Sequence, residues 1–297
     1  MSKPRFDQPN EPVEPAVRRI ASAQIDQAIA IIDDPAITIA RKVHRVRQQC
    51  KNLRALLRLI RPSFAGYDAM NALFRDIARS LSGSRDAEVM VETFDGLIAR
   101  GKHGLSDTDI ATLRSRLGDA QQAAPDQSSL LAESRSRLLD ARAHAARWTL
   151  SAQDWHALSG GLRTSYRRAR RAMKAMRAHP AAAISHDWRK DVKHHGEHLR
   201  LLRAIRPELL HTGVKQAHKL ADRLGQRHDI DMLLDHLADD NQHTENATDL
   251  SHFRRLSERR RMRLDHKAQT IGKTLFCAKP DHLVRRWAHW WQDWRTD

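Results

Sequence analysis

A row of cationic side chains at helical spacing is the feature of this sequence most able to perform chemistry. The row starts at His44 and continues at spacings of 3, 4, 3, 4 and 3 with Arg47, Lys51, Arg54, Arg58 and Arg61. On an α-helix these side chains fall within an arc of about 100° and span about 25 Å. No acidic residue lies between positions 41 and 61, so the sequence offers no i,i+4 ion pairs to relieve the repulsion. This row, called the first stripe below, therefore predicts a helix face that binds a polyanion.

The same arrangement recurs 142 residues later in the chain. Its members, called the second stripe, are His186, Arg189, Lys193, Arg200 and Arg203. Gly196 stands where the repeat predicts a counterpart of Arg54. At an offset of 143, Leu81-Ser82-x-x-Arg85-Asp86-x-Glu88 is echoed by Leu224-Gly225-x-x-His228-Asp229-x-Asp231. The repeats predict two related halves, residues 17–148 and 149–297, after a disordered proline-rich tail at 1–16.

A third group of cations occupies the segment from 161 to 177. The side chains on one predicted helix side are Arg163, Arg167, Arg170, Lys174 and Arg177. Apolar side chains such as Leu162, Ala169 and Met173 lie on an adjoining side. This pattern predicts another amphipathic helix with a cationic face.

The overall composition agrees with a polyanionic partner. Lys and Arg number 52 against 36 Asp and Glu, which gives a net charge of +16 and favours nucleic acid, polyphosphate or an anionic membrane surface. Seven Trp, six Phe and two Tyr leave few aromatic platforms for stacked bases. Two cysteines give neither a disulfide framework nor a metal motif. Since no run approaches the roughly 18 apolar residues of a membrane span, we expect a cytoplasmic protein without membrane insertion.

Helical periodicity dominates the chain, and strand-like alternation of β-branched residues is lacking. The predicted fold class is therefore all-α. Predicted helices cover 17–33, 36–61, 66–100 with a break at Gly83, 107–122, 128–148, 153–178, 185–205, 208–239, 250–275 and 281–295. The spacing of Trp287, Trp290, Trp291 and Trp294 predicts a core-facing row on the last helix, and Cys50 is expected to be a buried structural thiol.

Five segments in order resemble the conserved-histidine α-helical domain, or CHAD, family. They are His44-x-x-Arg47-x-x-x-Lys51-x-x-Arg54, Arg85-Asp86-x-Glu88, Tyr166-Arg167-Arg168-x-Arg170, His186-x-x-Arg189-Lys190-x-x-Lys193 and His228-Asp229-x-Asp231. The resemblance covers nearly everything after the tail. It implies two pseudo-twofold-related helical bundles around a basic central groove or pore. No ExExK motif of a fused triphosphate-tunnel domain is found, so the chain resembles the stand-alone members.

The resemblance further implies that the protein binds inorganic polyphosphate without catalysis and without a cofactor, in association with polyphosphate granules. The binding residues that it implies are His44, Arg47, Lys51, Arg54, Arg58, Arg85, Arg163, Tyr166, Arg167, Arg170, Lys174, His186, Arg189, Lys190, Lys193, Arg200 and His228. The second half departs from the family pattern through Gly196 and three histidines at 194, 195 and 198. We therefore expect the second half to hold phosphate less tightly. The sequence leaves the oligomeric state open.

Three alternatives stand beside this interpretation. The same charges could bind nucleic acid, although no helix-turn-helix, zinc-finger or RNA-binding motif is evident. The segment from His194 to His198 matches H-x-x-E-H, a zinc-protease pattern, but lacks an identified third ligand. His228-Asp229 resembles the dyad of HD metal-dependent phosphohydrolases. Because its counterpart is Arg85-Asp86, we expect a structural role in which Asp86, Glu88, Asp229 and Asp231 lie in first helical turns and orient stripe arginines.

Overall fold

The computed structural model describes residues 3–82, 85–100, 104–118, 126–239 and 247–296, with the side chains of 85–88, 118, 239 and 247–250 left out. Within these ranges every regular element is helical, which confirms the all-α fold class. The α-helices are α1 (Val13–Asp33), α2 (Ile39–Ile60), α3 (Tyr67–Ser80), α4 (Arg85–Ile98), α5 (Asp107–Gly118), α6 (Gln127–Ala145), α7 (Asp154–Ala178), α8 (Ala182–Leu201), α9 (Pro207–Asp239), α10 (Ala247–Leu275) and α11 (Pro280–Thr296). Short 3₁₀ turns at Arg61–Ser63 and Arg203–Ile205 follow α2 and α8.

Helix α2 lies at the centre of the main hydrophobic core. Its buried row includes Val46, Cys50, Leu53 and Leu57 at spacings of three and four, which places one apolar face beside the first stripe. The helix contacts α1, α3, α7 and α8. The predicted burial of Cys50 is confirmed, and this burial raises the pKa of its thiol to about 12.

A second, smaller core joins α4 and α5 to parts of α9 and α10. Phe94, Leu233 and Phe253 are fully buried there, and Phe94 packs on Phe253 with ring centroids 5.2 Å apart. Because α4 and α5 belong to the first predicted half and α9 and α10 to the second, this core combines both halves. The repeat boundary near residue 149 therefore does not separate two independent cores.

The helices of the two predicted halves follow one another in the same order. Helix α1 packs on α2, and α2 on α3, just as α7 packs on α8 and α8 on α9. The halves differ at one place, because α3 and α4 are separate helices whereas α9 continues through the corresponding region. The predicted break between α3 and α4 is confirmed, and Gly83 itself lies outside the described residues.

The prediction of a disordered tail at 1–16 is wrong for the residues described. Phe6 is only 2% exposed, packs edge-on against Trp291 and donates its backbone N–H to Leu201 O at 3.0 Å. Helix α1 begins at Val13 rather than at 17. The proline content suggested disorder, but one buried aromatic side chain and its hydrogen bond are enough to fix the segment against the core.

The tryptophan row on α11 faces the core as predicted. Trp287 and Trp291 are 2% and 1% exposed, and Trp290 and Trp294 are partly buried against the same core. Trp291 also donates its indole N–H to Asp154 at 2.7 Å. In the part of the chain that is described, no helix is sufficiently long and apolar to cross a bilayer.

Candidate anion-binding site

Helix α3 orients the arginines of the first stripe with uncharged acceptors. Arg54 Nε donates to Asn71 Oδ1 at 3.1 Å, and Arg58 Nη1 donates to the same oxygen at 3.2 Å. Arg47 Nη1 donates to the Leu81 carbonyl, just past the end of α3, at 3.2 Å. In the described residues neither Arg54 nor Arg58 forms an ion pair with a carboxylate. These hydrogen bonds fix the guanidinium groups without neutralising the charge of Arg54 or Arg58.

Partial burial and mutual repulsion destabilise the charged state of the arginines in this row. Desolvation and then the charge of Arg58 lower the pKa of Arg54. Desolvation likewise lowers the pKa of Arg58, and Arg168 and Arg61 add to the effect. Two adjacent, half-buried guanidinium groups repel each other, so an anion placed between them would relieve the repulsion.

The second stripe on α8 lies beside the first. Desolvation, together with the charges of Arg189 and Lys51, lowers the pKa of the Lys193 ammonium to about 8. Lys51 belongs to α2, and α2 and α8 are in contact, so cations from both stripes form one cluster. Asp222 and Asp229 on α9 act in the opposite direction and raise the pKa of Lys193. The structure thus brings together residues that are 142 positions apart in the chain.

Histidines of α8 line the contact with α2. Desolvation holds the pKa of His194 well below its usual range, and Arg58 on α2 is the largest charged contributor. His198 Nε2 donates to Ala55 O at 2.8 Å and is fully buried. The contact between α8 and α2 therefore includes the neutral imidazoles of His194 and His198, which add no charge beside the first stripe.

Helix α9 supplies the third side of the cluster. The rings of His186 and His228 lie 4.6 Å apart. A Cβ added to Gly225 would lie 3.0 Å from Arg189 Nη2, so this glycine lets the arginine lie against the α9 backbone. Desolvation lowers the pKa of His186, and Lys190 and Arg189 add to the effect. His186, Arg189, Lys193 and His228 are therefore brought together.

The third cationic face does not join this cluster as a whole. Tyr166 is buried and its hydroxyl donates to Ala278 O at 3.1 Å. Arg170 Nε donates to Phe276 O at 3.2 Å, and Arg163 pairs with Asp281 at 2.6 Å. These contacts fasten α7 to the connection between α10 and α11 and to the first turn of α11, and phosphate binding by the three residues stays a prediction. Arg167 and Lys174 are exposed on the same helix.

Another arginine of α7, Arg168, points to the stripes instead. It lies about 140° around the helix from Arg163 at 100° per residue. Its Nε is 3.2 Å from Asp191 on α8, and its charge reaches Arg58 on α2. Arg168, Asn71 and Asp191 were missed as site residues. The Tyr166-Arg167-Arg168 motif contained the first, whereas nothing local marks a polar Asn or Asp as a partner of distant arginines.

Two further predicted residues of α8 have local partners. Arg200 pairs with Glu197 and donates from Nη1 to Pro4 O at 2.8 Å, so its side chain holds the N-terminal segment. Phosphate binding by Arg200 stays a prediction. Lys190 pairs with Asp187 at 2.6 Å on the exposed surface. His44 is exposed at the start of the first stripe. The side chain of Arg85, with those of Asp86 and Glu88, lies outside the described residues.

One of the acidic residues predicted to orient stripe arginines, Asp231, has other partners. Asp231 is buried, pairs with Arg227 and lies 3.1 Å from Arg261, and neither arginine belongs to a stripe. Asp229 and Asp231 also lie within the continuous α9 rather than in a first helical turn, which corrects that part of the prediction. The reason is that α9 does not break where α3 and α4 do.

The H-x-x-E-H segment does not form a joint ligand set. Its glutamate, Glu197, pairs with Arg200, while the ring of His195 lies 5.2 Å from that of Tyr166 and His198 bonds to α2. Among the described residues no group of three or more His, Cys, Asp or Glu side chains is arranged to hold a metal ion.

Comparison with known families gives one match. The sequence model of the CHAD domain matches residues 19–238, a span that contains both stripes and ends within α9. Helices α10 and α11 lie beyond the matched region. A comparison with curated proteins finds no match.

Proposed function

Because the chain belongs to the CHAD domain family, we propose that it binds inorganic polyphosphate at the cation cluster formed by α2 and α8. The observation that carries the proposal is the packing of α2 on α8, which brings Lys51 near enough to Lys193 to lower its pKa. The acid-free row of cations on α2 and the second row on α8 lie within mutual electrostatic reach, and a polyanion between them would neutralise cations of both.

The side chains suit a ligand that consists of phosphates alone. Guanidinium groups such as those of Arg54 and Arg58 can each hold two phosphate oxygens, and Lys51 and Lys193 add mobile point charges. Polyphosphate offers repeated oxyanions and no bases to stack. The large aromatic side chains Trp188 and Trp291 are buried in the core and provide no stacking surface.

The proposed binding geometry is a basic groove between two pseudo-twofold-related bundles. The repeated order of α1–α2–α3 and α7–α8–α9 supports this relation. The proposed contacts are His44, Arg47, Lys51, Arg54, Arg58, Arg168, His186, Arg189, Lys193 and His228. We also propose that the protein binds without hydrolysing its ligand and that this binding takes it to polyphosphate granules.

A competition experiment tests the choice of ligand. Fluorescently labelled long-chain polyphosphate is displaced by unlabelled polyphosphate, single-stranded DNA or RNA at equal phosphate concentration and fixed ionic strength. We expect polyphosphate to compete best, and affinity for every competitor to fall with salt. Equal or stronger competition by DNA or RNA would contradict the proposal and favour a nucleic-acid-binding protein.

A second assay tests the absence of catalysis. Purified protein is incubated with polyphosphate and Mg²⁺ or Mn²⁺, and released phosphate is measured over time. We expect no release above buffer. Release that disappears in both His228→Ala and Asp229→Asn variants would support a metal-dependent phosphohydrolase instead.

A further inference from the structure

A small cavity lies where the first stripe ends. It measures about 40 Å³ and is lined by Arg58, Arg61, Pro62, Gly161, Thr164, Ser165, Arg168 and Asp191. These residues come from the end of α2, the turn after it, α7 and α8. A volume of this size accepts a few water-sized groups, which is the scale of one phosphoryl group and too small for a nucleobase.

Two glycines allow α7 to close this cavity. A Cβ on Gly161 would collide with the carbonyl oxygens of Leu59 and Arg58, and one on Gly160 would lie 3.0 Å from Pro62 Cγ. The α7 backbone therefore packs directly on the end of α2. Thr164, Ser165 and Arg168 follow Gly161 by three, four and seven residues, so they share its helix face and point to the same space.

The arginines around the cavity retain donors for a ligand. Arg168 contacts Asp191 through Nε, which leaves the fork of its two terminal nitrogens for another oxyanion. Arg61 stacks over the Tyr67 ring at 4.5 Å, and stacking occupies the face of the guanidinium group rather than its N–H edge. Arg58 is held through Nη1 by Asn71.

The charge balance of the lining favours an anion. Three arginines face one carboxylate, Asp191, which is only 6% exposed and whose pKa is raised by desolvation. Two hydroxyl groups, from Thr164 and Ser165, can donate hydrogen bonds to phosphate oxygens. An internal phosphate of a chain has two bridging oxygens and must continue on both sides, whereas a terminal phosphate has one and carries more charge.

We propose that this cavity binds the terminal phosphoryl group of a linear polyphosphate chain whose following phosphates lie along the first stripe. The inference rests on the proposed function and adds a chain-end specificity to it. The protein then distinguishes linear chains from phosphate rings, and Arg168 is the residue that holds the end group from the side opposite α2.

The experiment compares ligands of similar charge with and without ends. Linear tripolyphosphate, cyclic tetrametaphosphate and inorganic phosphate are titrated into the full chain by calorimetry near pH 7. We expect the linear ligand to bind at least about tenfold more tightly than the ring, which corresponds to about one charge-assisted contact. Inorganic phosphate alone should bind far more weakly, since it makes no contact with the stripe cations that precede Arg58.

Variants assign the effect to the cavity. Arg168→Gln and Thr164→Val should each reduce the preference for the linear ligand, with Arg168→Gln abolishing it. Arg285→Gln, an exposed change of the same charge on α11, should leave the preference intact. Circular dichroism of each variant confirms that the helices remain folded.

A direct readout comes from ³¹P NMR of tripolyphosphate, in which terminal and middle phosphates give separate signals. We expect the terminal signal to shift or broaden first on addition of protein, and less so with Arg168→Gln. Equal binding of ring and linear ligand, or equal perturbation of terminal and middle signals, would overturn the end-group site. Failure of long-chain polyphosphate to bind at all would instead contradict the proposed function.

Discussion

Helices α2 and α8 carry the same repeated pattern of cations, but the cations of the two helices have different partners. On α2, Arg54 and Arg58 are held by the neutral amide of Asn71. On α8, the residues at the equivalent positions are Gly196, which packs against Ala217, and Arg200, which pairs with Glu197. The spacing of a cation in the sequence therefore determines its place on the helix, but the residue that it pairs with determines whether its charge remains available for a ligand.

Helix α8 also carries less charge than α2 for a second reason. Its three histidines at 194, 195 and 198 all have pKa values lowered by burial, to about 3 for His195 and about 4 for His198. They are uncharged near neutral pH. Helix α8 therefore packs in the core through neutral histidines, whereas on α2 Arg54 and Arg58 hydrogen bond to a neutral amide and keep their charges.

The largest expected effect comes from removing cations of the first stripe. The double variant Lys51→Gln and Arg54→Gln should weaken polyphosphate binding about a hundredfold, because two charge-assisted hydrogen bonds to phosphate are removed. The equivalent pair on α8, Arg189→Gln and Lys193→Gln, should weaken it less, since acidic residues of α9 already offset part of that charge. Calorimetry or fluorescence titration measures both.

The control for this pair is Lys279→Gln with Arg285→Gln, which makes the same charge change at exposed positions near α11. It should alter affinity far less. The slope of log affinity against log salt should also flatten by about 0.7 for each phosphate that a stripe variant no longer neutralises, if the polymer behaves as a single strand. Equal reductions of affinity in all three double variants would mean diffuse attraction to a basic surface.

Substitutions of the repeat-related arginines should affect different properties: ligand affinity for Arg58 and stability for Arg200. Arg58→Gln is expected to reduce affinity about tenfold with little change in unfolding. Arg200→Gln should leave affinity unchanged and lower stability by about 1–3 kcal/mol, because Glu197 and Pro4 O lose a partly buried partner. Binding titrations and thermal unfolding of both variants provide the test, and reduced affinity in Arg200→Gln would restore that residue to the site.

Substitution of Asn71 can give the arginines of α2 a carboxylate partner, as Arg200 has on α8. Asn71→Asp places a carboxylate beside Arg54 and Arg58, so both arginines gain an ion pair. We expect affinity to fall by up to about tenfold with unchanged or higher thermal stability. Asn71→Ser, which removes the acceptor amide without adding charge, should have a smaller effect on affinity. Stronger binding by Asn71→Asp would show that the neutral acceptor is not what keeps these charges available.

The smallest expected effect is a pH dependence confined to α8. The folded-state pKa of Lys193 is lowered to about 8, so its charge is present at pH 7 and disappears as the pH rises through 8. Affinity for long-chain polyphosphate should therefore fall a few-fold between pH 7 and 9. Lys193→Arg stays charged over this range and should flatten the profile, while Lys51→Arg should not. A profile unchanged by Lys193→Arg would place the titration elsewhere.

The fold class, the helices and the first stripe can be predicted from the sequence alone, because periodicity and charge run along a single helix. Val46, Cys50, Leu53 and Leu57 mark the buried face of α2, and the adjacent arc of cations follows from 3.6 residues per turn. The bounds of α2 and of α7 to α11 lie within a few residues of those predicted.

The sequence does not predict which cations lie close together, because that depends on packing between distant helices. Gly161 lets α7 approach α2 and so brings Arg168, rather than Tyr166 or Arg170, to the end of the first stripe. Burial of Phe6 orders the N-terminal segment, which was predicted to be disordered from its proline content. Arg58 and Arg200 occupy the same place in the repeat, and their roles differ because one faces a neutral amide and the other a carboxylate. A pattern in one helix cannot encode the partner that another helix supplies.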